Sequence, residues 1–76
     1  MQTFKQIEPK LESAGFELYL SGKALGNPDI EHEIFTCKKG KYSGEVIDLF
    51  YNYYTGEIVR IEYSTQFADQ MPTFSL

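Results

Sequence analysis

Residues 47–63, IDLFYNYYTGEIVRIEY, constrain the fold more tightly than any other stretch of the chain. Two runs of alternating apolar and polar residues flank a turn that contains Gly56. Alternation with period two is the mark of a strand with one buried face. The YYTG segment predicts a three-residue loop, a type I turn with Gly56 in the left-handed position. That loop sets Tyr53 opposite Glu57, Tyr51 opposite Val59, Leu49 opposite Ile61 and Ile47 opposite Tyr63. The last three pairs make one side apolar. The other side pairs Asn52 with Ile58, Phe50 with Arg60 and Asp48 with Glu62. A slip of one residue would mix both faces, so burial selects the first register.

Upstream, Phe4, Ile7, Leu11 and Ala14 recur at helical spacing and predict an N-terminal helix with one apolar stripe. Thr3 and Gln6 have the form of a capping box. Gly15 is the expected stop, since glycine takes the left-handed conformation beyond a helix end without strain. Pro9 interrupts this pattern. The stripe needs Phe4 and Ile7, so a longer, irregular helix is expected rather than one that begins at Pro9. Residues 16–21, FELYLS, alternate again and predict a strand with Phe16, Leu18 and Leu20 facing inward. Gly22, Gly26, Asn27 and Pro28 break the pattern. A second strand runs roughly from Ile30 to Lys38, and KKGKYSG forms the loop to the hairpin.

The register of the second strand rests on the cost of burying carboxylates. Pairing Ile34 with Ile47 sends Ile30, His32 and Ile34 to the core and Glu31, Glu33, Phe35 and Cys37 away from it. The opposite choice buries Glu31 and Glu33, at several kcal/mol per unpaired charge. The expected fold is therefore α+β: one N-terminal α-helix packed on a four-stranded antiparallel β-meander. The chain has 76 residues, enough for a single small domain over 1–76, with 66–76 as a loosely packed tail.

Composition narrows the function. Eleven acidic residues against seven basic ones give a net charge of −4, which disfavours direct contact with nucleic acid or an acidic membrane surface. No run approaches the roughly 20 apolar residues of a membrane span, and the N-terminus lacks a signal peptide's apolar run. Cys37 is the single cysteine, so no disulfide forms within one chain, and a cytoplasmic setting is expected.

On the predicted outer face, Glu31, Glu33, Asp48 and Glu62 form an acidic row with Phe35, Phe50 and Arg60 among them. Such a surface suits a basic protein site, with the rings supplying contact area and the acids speeding encounter. Glutamates on an open sheet face also serve solubility, and exposed rings also reflect strand preference. The function expected is a small acidic, non-enzymatic protein-binding module, an inhibitor or immunity factor. Its partner would be a basic protein surface, for example a nucleic-acid-binding enzyme. In size and charge it is like phage-encoded inhibitors of host enzymes, with carboxylates standing in for phosphates. Two alternatives are a homo-oligomeric assembly subunit, a homodimer included, and a small-ligand or metal-binding module.

Catalytic chemistry finds little support. His32 is the sole histidine and reads as a core side chain. It lies on the face opposite Cys37, which argues against a thiolate–imidazole pair. With Cys37 on the sheet surface, adventitious oxidation is its expected chemistry. No nucleophile elbow or phosphate loop is present, the acids sit on strands rather than in a calcium-type loop, and no cofactor or metal is expected. Lys38, Lys39 and Lys41 read as a solvated turn.

Overall fold

A computed structural model describes residues 2–63. Helix α1 (Phe4–Ser13) is followed by strands β1 (Phe16–Ala24), β2 (Asn27–Cys37), β3 (Val46–Asn52) and β4 (Ile58–Tyr63). The strands form one antiparallel sheet in the order β1-β2-β3-β4, with the helix on one side. The α+β meander is thus the observed architecture. The tail expected at 66–76 lies outside the described residues.

The helix begins where predicted. Thr3 is extended, and its amide donates to Gln6 Oε1 at 3.0 Å. Pro9 is accommodated within the helix. It and Lys5 lie on the exposed side, where water can serve the carbonyl that Pro9 leaves without its usual donor. Ile7 and Leu11 are fully buried, and Phe4 and Ala14 pack beside them. Gly15 ends the helix with φ +98°. A side chain there would be blocked as well as strained, because a Cβ would sit 2.4 Å from the Lys39 carbonyl oxygen. Before the helix, the chain runs along the start of β4. Ile58 N–H donates to the Gln2 carbonyl at 2.9 Å, and Phe4 N–H donates to the Gly56 carbonyl at 2.7 Å. The helix is therefore tied at one end to the last hairpin and at the other to the β1–β2 sheet end.

The β3–β4 register agrees with expectation at Ile47↔Tyr63, Asp48↔Glu62, Leu49↔Ile61 and Phe50↔Arg60. It then shifts by one, and Tyr51 meets Ile58 instead of Val59. The turn is the cause. Asn52, not Tyr53, closes the loop: its N–H donates to the Glu57 carbonyl at 2.9 Å, and its carbonyl accepts from Gly56 N–H at 2.8 Å. Its side-chain oxygen also accepts from the amides of Tyr54 and Thr55, at 2.8 and 2.9 Å. These bonds favour a turn one residue longer than the three-residue form. Gly56 keeps its expected left-handed conformation, at φ +78°. The mismatch is absorbed by a bulge that leaves Val59 55% exposed.

The β2–β3 register corrects the sequence reading. Phe35, not Ile34, lies opposite Ile47, and Glu33 lies opposite Leu49. This one-residue slip turns over every β2 side chain. Phe35 and Cys37 join the core with Ile7, Leu11, Phe16, Ile47 and Leu49, while His32 and Ile34 face the other way. The expected penalty assumed unpaired carboxylates, but the neighbouring strands provide partners. Tyr51 OH donates to Glu33 Oε2 at 2.9 Å, and Lys23 Nζ lies 3.0 Å from Glu31 Oε1. With the penalty reduced, burial of the Phe35 ring, about 3 kcal/mol, weighs in the balance.

β1 also departs from simple alternation. Leu18 pairs with Phe35 and Leu20 with Ile34, with a bulge between them at Tyr19. Phe16 and Leu18 keep the helix side, and Leu20 crosses to the open side.

Candidate functional site

The open face of the sheet carries the candidate site. Asp48, Phe50, Arg60 and Glu62 lie on it as expected, on adjacent strands β3 and β4. Glu31, Glu33 and Phe35 do not; the β2 slip places all three on the helix side, so the continuous acidic row is not formed. His32 and Ile34 occupy the places that the reading gave to Glu31, Glu33 and Phe35.

Phe50 is the centre of this face and is only 8% exposed. The His32 ring stacks on it, with centroids 4.2 Å apart and planes at 14°. The Arg60 guanidinium lies 4.1 Å from the Phe50 centroid. These contacts follow from register, because His32, Phe50 and Arg60 are direct neighbours across β2, β3 and β4. A guanidinium on a ring face contributes about 0.5–1 kcal/mol at an exposed site and restrains a flexible side chain.

Asp48 and Glu62 on the open face each have a side-chain neighbour. Asp48 Oδ1 lies 2.8 Å from His32 Nε2. Glu62 Oε2 lies 3.7 Å from an Arg60 nitrogen, with Glu62 51% and Arg60 59% exposed in their side chains. This second contact is long and wet, and contributes little. Around these pairs lie Leu20, Ile30, Ile34 and Val59. Phe50, Arg60, Ile30, Val59, Ala24 and Asn27 line a shallow groove of about 350 Å³.

His32 and Asp48 form a dyad, but Cys37 lies on the helix side and cannot join it. The thiol is buried rather than superficial, and donates to the Lys39 carbonyl at 3.0 Å. That corrects the expectation of a surface cysteine. His32 itself was expected in the core and instead helps to build the open face. Among the described residues, no cluster of three or more His, Cys, Asp or Glu side chains is placed to hold a metal ion. No helix of the described residues is long and apolar enough to cross a membrane.

The two displaced glutamates form a separate polar group under the helix. Glu33 is 7% exposed and holds Tyr51 through one oxygen, leaving Oε1 buried without a hydrogen-bond partner. Burial pushes the Glu33 carboxyl above the usual range, and the charges of Glu8 and Glu31 add to this; the Tyr51 bond opposes it. Tyr51 is driven well above the ordinary phenol range by burial first, then by its bond to Glu33 and the nearby acids. It is therefore fixed as a hydrogen-bond donor. Phe4 stacks on the Tyr51 ring at 4.5 Å, which couples this polar group to the helix start.

A second cleft, of about 380 Å³, lies between the helix start and the hairpin turn, where Phe4, Lys5, Tyr51, Tyr53 and Tyr54 meet. Tyr53 is occupied on one face by Lys23, whose Nζ stands 3.5 Å from the ring centroid.

Comparison with known proteins returns no match: no family model, curated protein or solved structure is similar to this chain at a significant level.

Proposed function

We propose that this protein is a small non-enzymatic binding module, of inhibitor or immunity-factor type, which docks another protein through the open face of its sheet. The supporting observation is the centre of that face, where Phe50 is held between His32 and Arg60 and bordered by Leu20, Ile34 and Val59. A rigid aromatic and arginine centre with an apolar surround is the composition that carries binding energy in protein interfaces. The net charge of −4 speeds encounter with a basic partner, a nucleic-acid-binding enzyme being one such class. Nucleic-acid mimicry of the phage-inhibitor kind has less support, because Asp48 is hydrogen-bonded to His32, Glu62 lies beside Arg60 and the two β2 glutamates point elsewhere. A cytoplasmic setting suits the free Cys37 thiol.

The test uses substitutions at exposed positions, so that folding is spared. Leu20→Arg and Val59→Arg alter the open face, and Glu12→Lys alters the exposed side of the helix. Partners captured from the source cell on immobilised protein are then titrated by calorimetry. The open-face pair is expected to weaken binding by about tenfold or more, as for interface centres, while Glu12→Lys leaves it unchanged. The reverse pattern rejects the docking face.

A second reading is a homo-oligomer formed along the β1 edge, favoured by Leu18, Tyr19 and Leu20, each more than half exposed on that outer strand. Light scattering separates the two, since edge pairing requires a dimer in the absence of any partner.

A further inference from the structure

We propose that the groove beside Phe50 is a binding site for a small apolar carboxylate. Its walls are Ala24, Ile30, Val59 and the Phe50 ring, and its polar groups are Asn27 and Arg60. Arg60 is the single cation among these residues, and no acid is among them. The complement of such a lining is an apolar body that ends in an anion.

Arg60 is suited to the role. Its guanidinium rests on the Phe50 ring at 4.1 Å, a contact that limits its rotamers while leaving the N–H edges accessible. Its contact with Glu62 is 3.7 Å long, and Arg60 remains 59% exposed in its side chain. Five N–H donors are more than one distant carboxylate can use, and a ligand carboxylate can take two of them in a bidentate pair. Asn27 stands at the far end, with its oxygen already accepting the Asp29 amide at 3.1 Å, so its N–H groups are what it can offer a ligand. The volume, about 350 Å³, lies at the small end of ligand sites and suits a molecule of about a dozen heavy atoms. The chain's charge of −4 repels anions at long range, so recognition is by contact at Arg60 rather than by steering. The inference stands apart from the protein-docking reading; a ligand here covers Val59 and Phe50 and competes with a partner seated on the same face.

The test titrates phenylbutanoate, with phenylbutanol as its neutral match, into protein with labelled methyl groups, followed by NMR. Saturable shifts are expected at Ala24, Ile30 and Val59, with a dissociation constant on the order of a millimolar for a ligand of this size. The alcohol should bind more weakly by about tenfold or more, and Arg60→Met should reduce acid binding by a similar factor. Arg60→Lys keeps the charge without the flat fork and should fall between. Unshifted Ile7 and Leu11 methyls report that each variant remains folded. Equal binding of acid and alcohol overturns the proposal, as does wild-type affinity in Arg60→Met. So does the absence of saturable shifts at the three methyl sites with about 10 mM acid present.

Discussion

Gly15 joins the helix to the sheet, and its replacement by alanine should damage the fold out of proportion to one methyl group. Two separable effects act there. The first is conformational: at φ +98° an L-residue is strained by about 1–2 kcal/mol. The second is steric, because the new Cβ lands 2.4 Å from the Lys39 carbonyl oxygen, a backbone atom that cannot swing away. Overpacking of this kind costs about 1–3 kcal/mol. The site is also held by a bond from Lys38 N–H to the Gly15 carbonyl at 3.2 Å, so relief by local shift disturbs the sheet end. Gly26 is the matched control, with φ +80° and no atom within 4 Å of its would-be Cβ. Gly26→Ala therefore measures strain alone, and the lost chain entropy of glycine cancels between the two variants. We expect Gly15→Ala to exceed Gly26→Ala by about 2 kcal/mol, a shift in Tm of roughly 8–16 °C for a domain of this size. Urea unfolding followed by circular dichroism gives both values, with unchanged m confirming that stability alone has moved. Equal losses in the two variants, within about 0.5 kcal/mol, would refute the steric argument and with it the close approach of the helix end to residue 39.

Three further expectations follow from the buried groups. Glu33 has a raised pKa in the folded state, so its contribution is most favourable below the unfolded glutamate pKa and is lost as pH rises through the folded value. Glu33→Gln should flatten the fall in stability between acid and neutral pH and raise it at neutrality by about 1 kcal/mol; identical pH slopes for the two proteins would contradict this. Tyr51→Phe leaves the buried carboxylate with no hydroxyl donor, which should destabilise by about 1–3 kcal/mol in wild type and by less in a Glu33→Gln background, a coupling that a double-mutant cycle measures. Cys37 should react with a thiol reagent only as the protein unfolds, so that labelling rates track denaturant; rapid labelling of native protein would show that the thiol is not buried as described.

The elements that could be read from residues alone are those in which one pattern excludes its rival. In the last hairpin, slipping the pairing mixes both faces, so Asp48, Phe50, Arg60 and Glu62 were legible as one surface. The helix carried a stripe, a cap and a terminal glycine that agree. β2 differs because IEHEIFTC offers apolar residues on both of its faces, Ile30 and Ile34 on one and Phe35 and Cys37 on the other, and the second face also carries Glu31 and Glu33. The choice then depends on whether the glutamates find partners, and those partners, Tyr51 and Lys23, belong to other strands. Their proximity is a product of the register and cannot be used to derive it. His32 and Ile34 were missed for the same reason. The bulges at Tyr19 and Val59 leave no trace in periodicity, and each redirects the side chains beyond it.

The bonds between the chain start and the last hairpin have a consequence for assembly. Residues 2–4 hydrogen-bond with residues 56–58, so the helix, local in its own contacts, is anchored by a closure of about 50 residues that costs about 3.5 kcal/mol in chain entropy. During synthesis the helix emerges before the strands and must wait for the hairpin turn before its leading end can form these bonds. Until then Ile7 and Leu11 lack their full cover. The helix, made before the hairpin, is thus secured only after it.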